Sequence, residues 1–275
     1  MRPVTWWGKT IYRLLQVLFA FIIVFPVLYA IDISFMPAQQ IFRKPPNLMP
    51  TMLNLSNYKL ALSNAPLFRY ELNSLIVAVC VTAGQMALSS LASFSFSYFN
   101  FKGKNVIFML ILVTMMIPGE SIVISNYMTI GDLHLFDTYI ALILPSLASA
   151  MSVFFMRQAF LQTPRALYEV ARLEGCGNLR YLFTLLLPLC KGSLGAIGIY
   201  SFIGSWNSYL WPLLVTNKSH MRTVQIGIGM LSDSEAMGYG MIMAGIVIIL
   251  LPTLLIFIAG QRQILSGALA GSIKG

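Results

Sequence analysis

From Leu14 to Ile31 the chain carries no charged residue, and a stretch of that length and apolarity constrains folding more than any motif. A helix needs about 20 mostly apolar residues to cross a hydrocarbon core of roughly 30 Å. Six stretches meet the requirement, at about 11–33, 72–97, 105–128, 138–156, 189–212 and 239–260. Charged residues make up 10% of the 275 positions and mean hydropathy is +0.77, whereas soluble domains carry about 25% charge. A water-soluble globule is therefore excluded. The expectation is an all-α membrane protein of six transmembrane helices, forming a single domain over residues 1–275. Arg2, Lys9 and Arg13 give the first stretch the flank of a signal peptide. Its apolar run is too long for an h-region and no small-residue cleavage site follows, so a retained first helix is expected.

A net charge of +9 would point to nucleic acid in a soluble protein, but here the charge follows the membrane. With both termini on one side, that side holds Arg2, Lys9, Arg13, Lys102, Lys104, Arg157, Arg165, Arg172, Arg180, Lys191, Arg262 and Lys274. The other side holds only Arg43, Lys44, Lys59, Arg69, Lys218 and Arg222. The positive-inside rule then places both termini in the cytoplasm and excludes a nucleic-acid partner. The outer connections are a long proline-rich loop over 34–71, a short one at "GDLHLFD", and a third over about 213–238.

Chemistry is sparse. Cys80, Cys176 and Cys190 lie on separate segments with neither disulfide nor metal spacing. Gly8-Lys9-Thr10 looks like the end of a phosphate-binding loop, but Pro3 stands where its first glycine belongs and no strand precedes it. No ATP site of its own is therefore expected. Pro118, Pro145 and Pro252 fall inside spans and predict kinks. Small residues at helical spacing, Ala83, Ala87, Ser89, Ser93 and Ser97 on the second span and Ala148, Ser149 and Ser152 on the fourth, predict close helix packing rather than a pore lining.

The cytoplasmic segment 163–188 stands apart. It holds Arg165, Glu169, Arg172, Glu174 and Arg180 in a chain otherwise poor in charge. Thr163-Pro164 is a helix start, and "RALYEVARLE" places Leu167, Val170, Ala171 and Glu174 on one face. Gly175 and Gly177 stop that helix, Asn178 can cap a second, and Pro188 closes it. A helix-turn-helix at the cytoplasmic surface is predicted, with one face that needs a partner.

Glu169-Val170-Ala171, three residues, Gly175, nine residues, then Leu185-Leu186-Leu187-Pro188 resembles the signature EAA-x3-G-x9-I-x-L-P. That signature belongs to inner-membrane permease subunits of binding-protein-dependent ABC importers. Departures are mild: Val170 for alanine, Leu185 for isoleucine, Glu174 where aspartate is common. "NYKLAL", "NSLIVA", "WNSYLWPLL", "MIPGE" and the ending "SGALAGSIKG" are similar to the carbohydrate branch, with its maltose-type and glycerol-3-phosphate-type importers. The resemblance implies the type I permease fold in a bacterial inner membrane and one half of a heterodimeric pore. It also implies a second permease, two ATPase subunits docking at the 163–188 segment and the C-terminal tail, and an extracytoplasmic binding protein. Leu167, Glu169, Val170, Ala171, Glu174, Gly175 and Pro188 then belong to the ATPase-coupling element. ATP and magnesium would be bound by the partner ATPase and no cofactor by this chain. A helix lying on lipid is disfavoured as the alternative, since such helices carry a wide bulky apolar face.

Glu120, the only acid well inside a span, is by default a functional candidate; a carboxylate there favours a neutral sugar over a phosphate. Trp206, Asn207, Tyr209 and Trp211 cluster at the outer end of the fifth span, where an aromatic belt competes with sugar stacking. Trp206, Asn207 and Tyr209 are carried with Glu120 as substrate-pathway candidates. An ion-coupled secondary transporter is the competing class, but internal repeats and several intramembrane charges are missing. No nucleophile, base and orienter set points to an enzyme. Purified alone into lipid vesicles under a sugar gradient, the chain is expected to show no saturable uptake; robust transport by the single subunit would contradict this reading.

Overall fold

The structure, a computed structural model, describes residues 6–43, 47, 49–233 and 238–272, with side chains over 12–43, 47, 49–231 and 238–255. Helices of eight residues or more are numbered α1 Trp6–Ser34, α2 Ser56–Asn64, α3 Leu67–Tyr98, α4 Lys104–Thr114, α5 Gly119–Asp132, α6 Ala150–Leu161, α7 Arg165–Leu173, α8 Lys191–Trp206, α9 Val224–Asp233 and α10 Tyr239–Ser272. No strand occurs among the described residues. Gly8-Lys9-Thr10 lies within α1. The chain divides into two compact units, one comprising Met1–Leu67 with Gly227–Thr253 and the other Phe68–Ile226 with Leu254–Gly275.

In the first unit, α1 is a helix long and apolar enough to cross a membrane from Tyr12 to Ser34. Its end is fixed by polar bonds. Asn57 Nδ2 donates to the carbonyls of Ser34 and Met36, both at 2.9 Å, and Ser34 Oγ meets Tyr58 Oη at 2.7 Å. These bonds satisfy carbonyls that the helix end leaves open. Gly240, near the start of α10, packs on the same spot, where an added Cβ would stand 2.9 Å from the Met36 carbonyl oxygen. The helix α10 then continues unbroken past Pro252 to Ser272, so the glycine-rich stretch from Ser266 is helical as far as it is described.

In the second unit α3 is the long uninterrupted element, and among the described residues the other apolar stretches here are broken. The predicted third span divides into α4 and α5, bent by 97°. Pro118 causes the break: it has no N–H to donate and sits extended at φ −56°, ψ 134°. The fourth divides into Tyr139–Ser146 and α6, bent by 50°. Pro145 lies in the 3₁₀ turn Leu144–Ser146 just before that break, and Ser149 starts the next helix by accepting from Ser152 N at 3.2 Å. The fifth begins after an 85° bend at Cys190, between Asn178–Leu189 and α8. It is interrupted again at Asn207–Tyr209, before a short helix Leu210–Val215.

Two cores flank the middle of α3. Val77 and Val81 pack with Ile130, Ala141, Leu142, Val215 and Met221. Nearer the other end, Phe94 and Tyr98 pack with Met156, Phe160, Tyr181, Leu182 and Leu186. Ser93 Oγ donates to the Val153 carbonyl at 2.7 Å, joining α3 to α6. Ser89 and Ser93 of the small-residue stripe are buried, but Ala83 and Ala87 are exposed, and Ala148 and Ser149 of the fourth span line a cavity instead of packing. Gly240→Ala is expected to lower the thermal stability of the detergent-solubilised protein by about 1–3 kcal/mol, since backbone must move to admit the methyl. Gly204→Ala, where an added Cβ meets nothing within 4 Å, should stay within about 1 kcal/mol. Thermal unfolding monitored by circular dichroism checks both.

Candidate coupling segment and polar chamber

The segment after α6 forms the predicted helix-turn-helix. Its first helix, α7, is capped by Pro164 backbone rather than by a side chain. Thr163 instead turns its hydroxyl to Cys190 Sγ at 3.7 Å. At the other end Gly175 N donates to Arg172 O at 3.1 Å and Cys176 N to Ala171 O at 2.9 Å. This pair of bonds is a Schellman cap, which requires a left-handed residue. Gly175 supplies it at φ +79°, with nothing within 4 Å of a built Cβ, so the glycine is needed for its backbone and not for space. Asn178 does not cap the next helix, whose N-cap is Gly177. Its Oδ1 accepts from Tyr168 Oη at 2.9 Å and ties the two arms together. Pro188 does not end the second arm either: a π-helical turn Leu182–Leu186 leads into Leu187–Leu189, and the chain bends only at Cys190.

Tyr168 anchors the segment. Its ring lies 4.9 Å from Tyr98, 5.0 Å from Tyr181 and 6.2 Å from Phe94, the last two edge-on. Such aromatic contacts add about 0.5–1.5 kcal/mol each beyond area burial. Ala171 is buried on the same side. The predicted shared face therefore splits: Ala171 turns inward, while Leu167, Val170 and Leu173 stay exposed at 47%, 54% and 88%. Beside this apolar ridge stand Glu169, paired with Arg165 at 3.7 Å, and the exposed Glu174. The result is a short rigid helix presenting apolar groups and a carboxylate outward.

A second feature lies at mid-length of α3. A cavity of about 310 Å³ is lined by Gln85, Ser146, Ser149, Ser201, Ser205 and Thr223 together with Tyr200 and Trp211. Gln85 organises it: Nε2 donates to the Ser146 carbonyl at 2.6 Å, and Oε1 accepts from Ser201 Oγ at 2.6 Å. Trp211 Nε1 donates to the Ala141 carbonyl at 3.0 Å, so the indole is fixed in the wall. The chamber sits where the Tyr139–Ser146 helix gives way to α6. Non-helical backbone at membrane depth is tolerated where it lines a cavity of this kind.

The four predicted pathway residues do not line this chamber. Glu120 is exposed in the first turn of α5. Trp206 is buried and stacks on Phe202 at 5.7 Å; Asn207 Oδ1 accepts from Gln225 at 3.4 Å; Tyr209 is 45% exposed. Trp206, Asn207 and Tyr209 stand beside the chamber in sequence, since Ser205 and Ser208 line it; Glu120 does not. Sequence reasoning missed Gln85, although a glutamine in the middle of an apolar span is the signal that could have found it. Among the described residues no cluster of His, Cys, Asp and Glu could hold a metal, and Cys80, Cys176 and Cys190 are free thiols.

Among the described residues the fold is all-helical, with broken spans around a polar chamber and a helix-turn-helix offering an outward ridge, and by likeness of sequence and fold it is that of a type I transporter permease. The chain belongs to the family described as binding-protein-dependent transport system inner membrane component, which matches residues 85–262. It is 33% identical to an arabinooligosaccharides transport system permease protein of Bacillus subtilis, over 97% of each chain. It is 34% identical to an sn-glycerol-3-phosphate transport system permease protein of Rhizobium meliloti, over 97% of this chain and 96% of that one. Its fold is similar to a chain of a bacterial ABC transporter involved in the import of the acidic polysaccharide alginate, with a TM-score of 0.79, 19% identity, and coverage of 92% and 95% of the two chains.

Substitutions at Gly175 should rank by backbone tolerance. Gly175→Asn is expected to cost least, Gly175→Ala about 1–2 kcal/mol and Gly175→Val more, because a left-handed residue excludes β-branching. Thermal stability of the three variants gives the order; Gly175→Val unfolding no earlier than Gly175→Asn would contradict it.

Proposed function

We propose that the chain is one half of a heterodimeric pore that imports a carbohydrate by alternating access, driven by ATP hydrolysed on separate subunits. The observation that carries this reading is the ridge of Leu167, Val170 and Leu173 beside Glu169, held outward by half-buried Tyr168 and buried Ala171. Exposed apolar groups on a rigid, capped helix are a docking surface rather than a lipid anchor. In this reading an ATPase subunit receives α7 in a groove, with Glu169 and Glu174 facing its donors, and Gly175 and Pro188 shaping the two arms. A pair of such ATPases would bind ATP and magnesium, with the end of α10 as a further contact, and this chain would bind no cofactor.

Twelve cationic residues on the side of the termini, against six on the other, support cytoplasmic termini, and with them a single six-span domain in the inner membrane. The long outer loops then face a solute-binding protein. Exposed Glu120 gains a place here: an ionisable group at membrane depth faces a bundle interior or water rather than lipid, so the second permease or the pathway would cover it. Trp206, Asn207 and Tyr209 form the outer rim of the pathway. Importing a sugar phosphate is the second reading, supported by the glycerol-3-phosphate relative.

Glu169→Lys reverses the charge on the docking face, and a misplaced interfacial charge costs several kcal/mol. Recovery of the ATPase with the affinity-purified permease is expected to fall by about 100-fold, with membrane levels of the permease unchanged. A variant that retains its ATPase and transports normally would remove α7 from the coupling role.

A further inference from the structure

The chamber around Gln85 has a chemical character that the transport reading leaves open. Its lining contains hydroxyls, one carboxamide and two aromatic rings, and no lysine, arginine, histidine, aspartate or glutamate. A buried phosphate or carboxylate needs charge-assisted donors, ordinarily Arg or Lys, and without them its desolvation is prohibitive. Neutral hydroxyls have the opposite requirement, because each offers one donor and two acceptor sites that Ser, Thr and Gln side chains complement. The volume of about 310 Å³ lies at the small end of ligand pockets, which span roughly 300–1,000 Å³.

One group in the wall is unsatisfied. Thr223 is 4% exposed, and its Oγ1 has no hydrogen-bond partner. A buried hydroxyl left unpaired is costly, and in this position a ligand hydroxyl would relieve it. Around it Gln85 accepts one bond at Oε1 from Ser201 and donates one from Nε2 to the Ser146 carbonyl; these hold the amide plane in place and leave a second N–H and a second oxygen lone pair for a ligand. Trp211, pinned through its indole N–H, offers the apolar face against which the C–H side of a sugar ring packs.

We infer that this chamber is a subsite for an uncharged, polyhydroxylated ring, the neutral unit of an oligosaccharide, with Thr223, Gln85 and Ser205 as hydrogen-bonding contacts and Trp211 as the stacking surface. The inference rests on the permease reading and narrows it: the wall contributed by this chain selects neutral sugars over phosphorylated or uronate ligands. A site built to bond hydroxyls also rejects analogues that lack them.

The test uses the complete importer, this chain with its second permease, ATPases and binding protein, in lipid vesicles. The probes are neutral di- and trisaccharides of arabinose, xylose, galactose and glucose, set against sn-glycerol 3-phosphate and a uronate trisaccharide. At least one neutral probe should drive ATP-dependent uptake, and neither anion should. Thr223→Val keeps the shape of the wall and removes only an unpaired hydroxyl, so assembly with the ATPase should be unaffected while uptake of the neutral probe falls about three- to tenfold. Gln85→Ala should abolish uptake, but it also removes the Ser146 and Ser201 bonds, so Thr223→Val is the deciding variant. Uptake driven by an anion alone, uptake of no neutral probe, or wild-type transport by Thr223→Val overturns the chamber assignment. Failure of the permease reading looks different: no probe would raise ATP hydrolysis, and the ATPase would not co-purify with the wild-type chain.

Discussion

Inside hydrocarbon no water is available to an unpaired N–H or C=O, and each one left open costs several kcal/mol. That constraint governs this protein because its apolar stretches are interrupted. Where Tyr139–Ser146 ends before α6, the Ser146 carbonyl is taken by Gln85 and the Ser152 N–H by Ser149 Oγ. Where the fifth span begins, Cys190 N donates to Leu186 O and Cys190 O accepts from Leu194 N, both at 3.0 Å. At the first of these breaks α3 itself answers a freed carbonyl through Gln85; the other groups are closed by the local chain.

The same helix solves a second difficulty. An isolated nine-residue helix is marginal in water, so α7 would have little structure by itself. It gains definition from the aromatic cluster of Phe94, Tyr98, Tyr168 and Tyr181 and from the Tyr168–Asn178 bond, which closes the two arms of the segment on one another. The Schellman cap at Gly175 then sets the angle between those arms. Packing on one side is what leaves the opposite side free to be presented.

Local chemistry was legible in the sequence and long-range pairing was not. The positions of α1 and α3, the helix-turn-helix over 163–188, and the glycine stop at Gly175 all follow from patterns within a few turns of chain. The capping roles read for Thr163 and Asn178 did not hold, because each side chain finds a better partner in the folded segment, Cys190 and Tyr168. Pro118 signalled a kink, but its 97° bend depends on how both halves pack, and the fourth-span break falls after Pro145, beyond the residue that announced it. The chamber was hidden most completely. Gln85 and Ser201 are 116 positions apart, and nothing local to either shows that they meet.

The unbroken course of α3 has a mechanical meaning. Tyr98, packed on the helix-turn-helix segment through Tyr168, and Gln85, bonded into the chamber wall, are mounted on one continuous helix with about 20 Å of helical rise between them. No hinge lies along that length, so α3 serves as a connecting rod. In the proposed function, a thrust delivered to Tyr168 would travel along this one helix to Gln85 and the Ser146 carbonyl it holds, without passing through any loop.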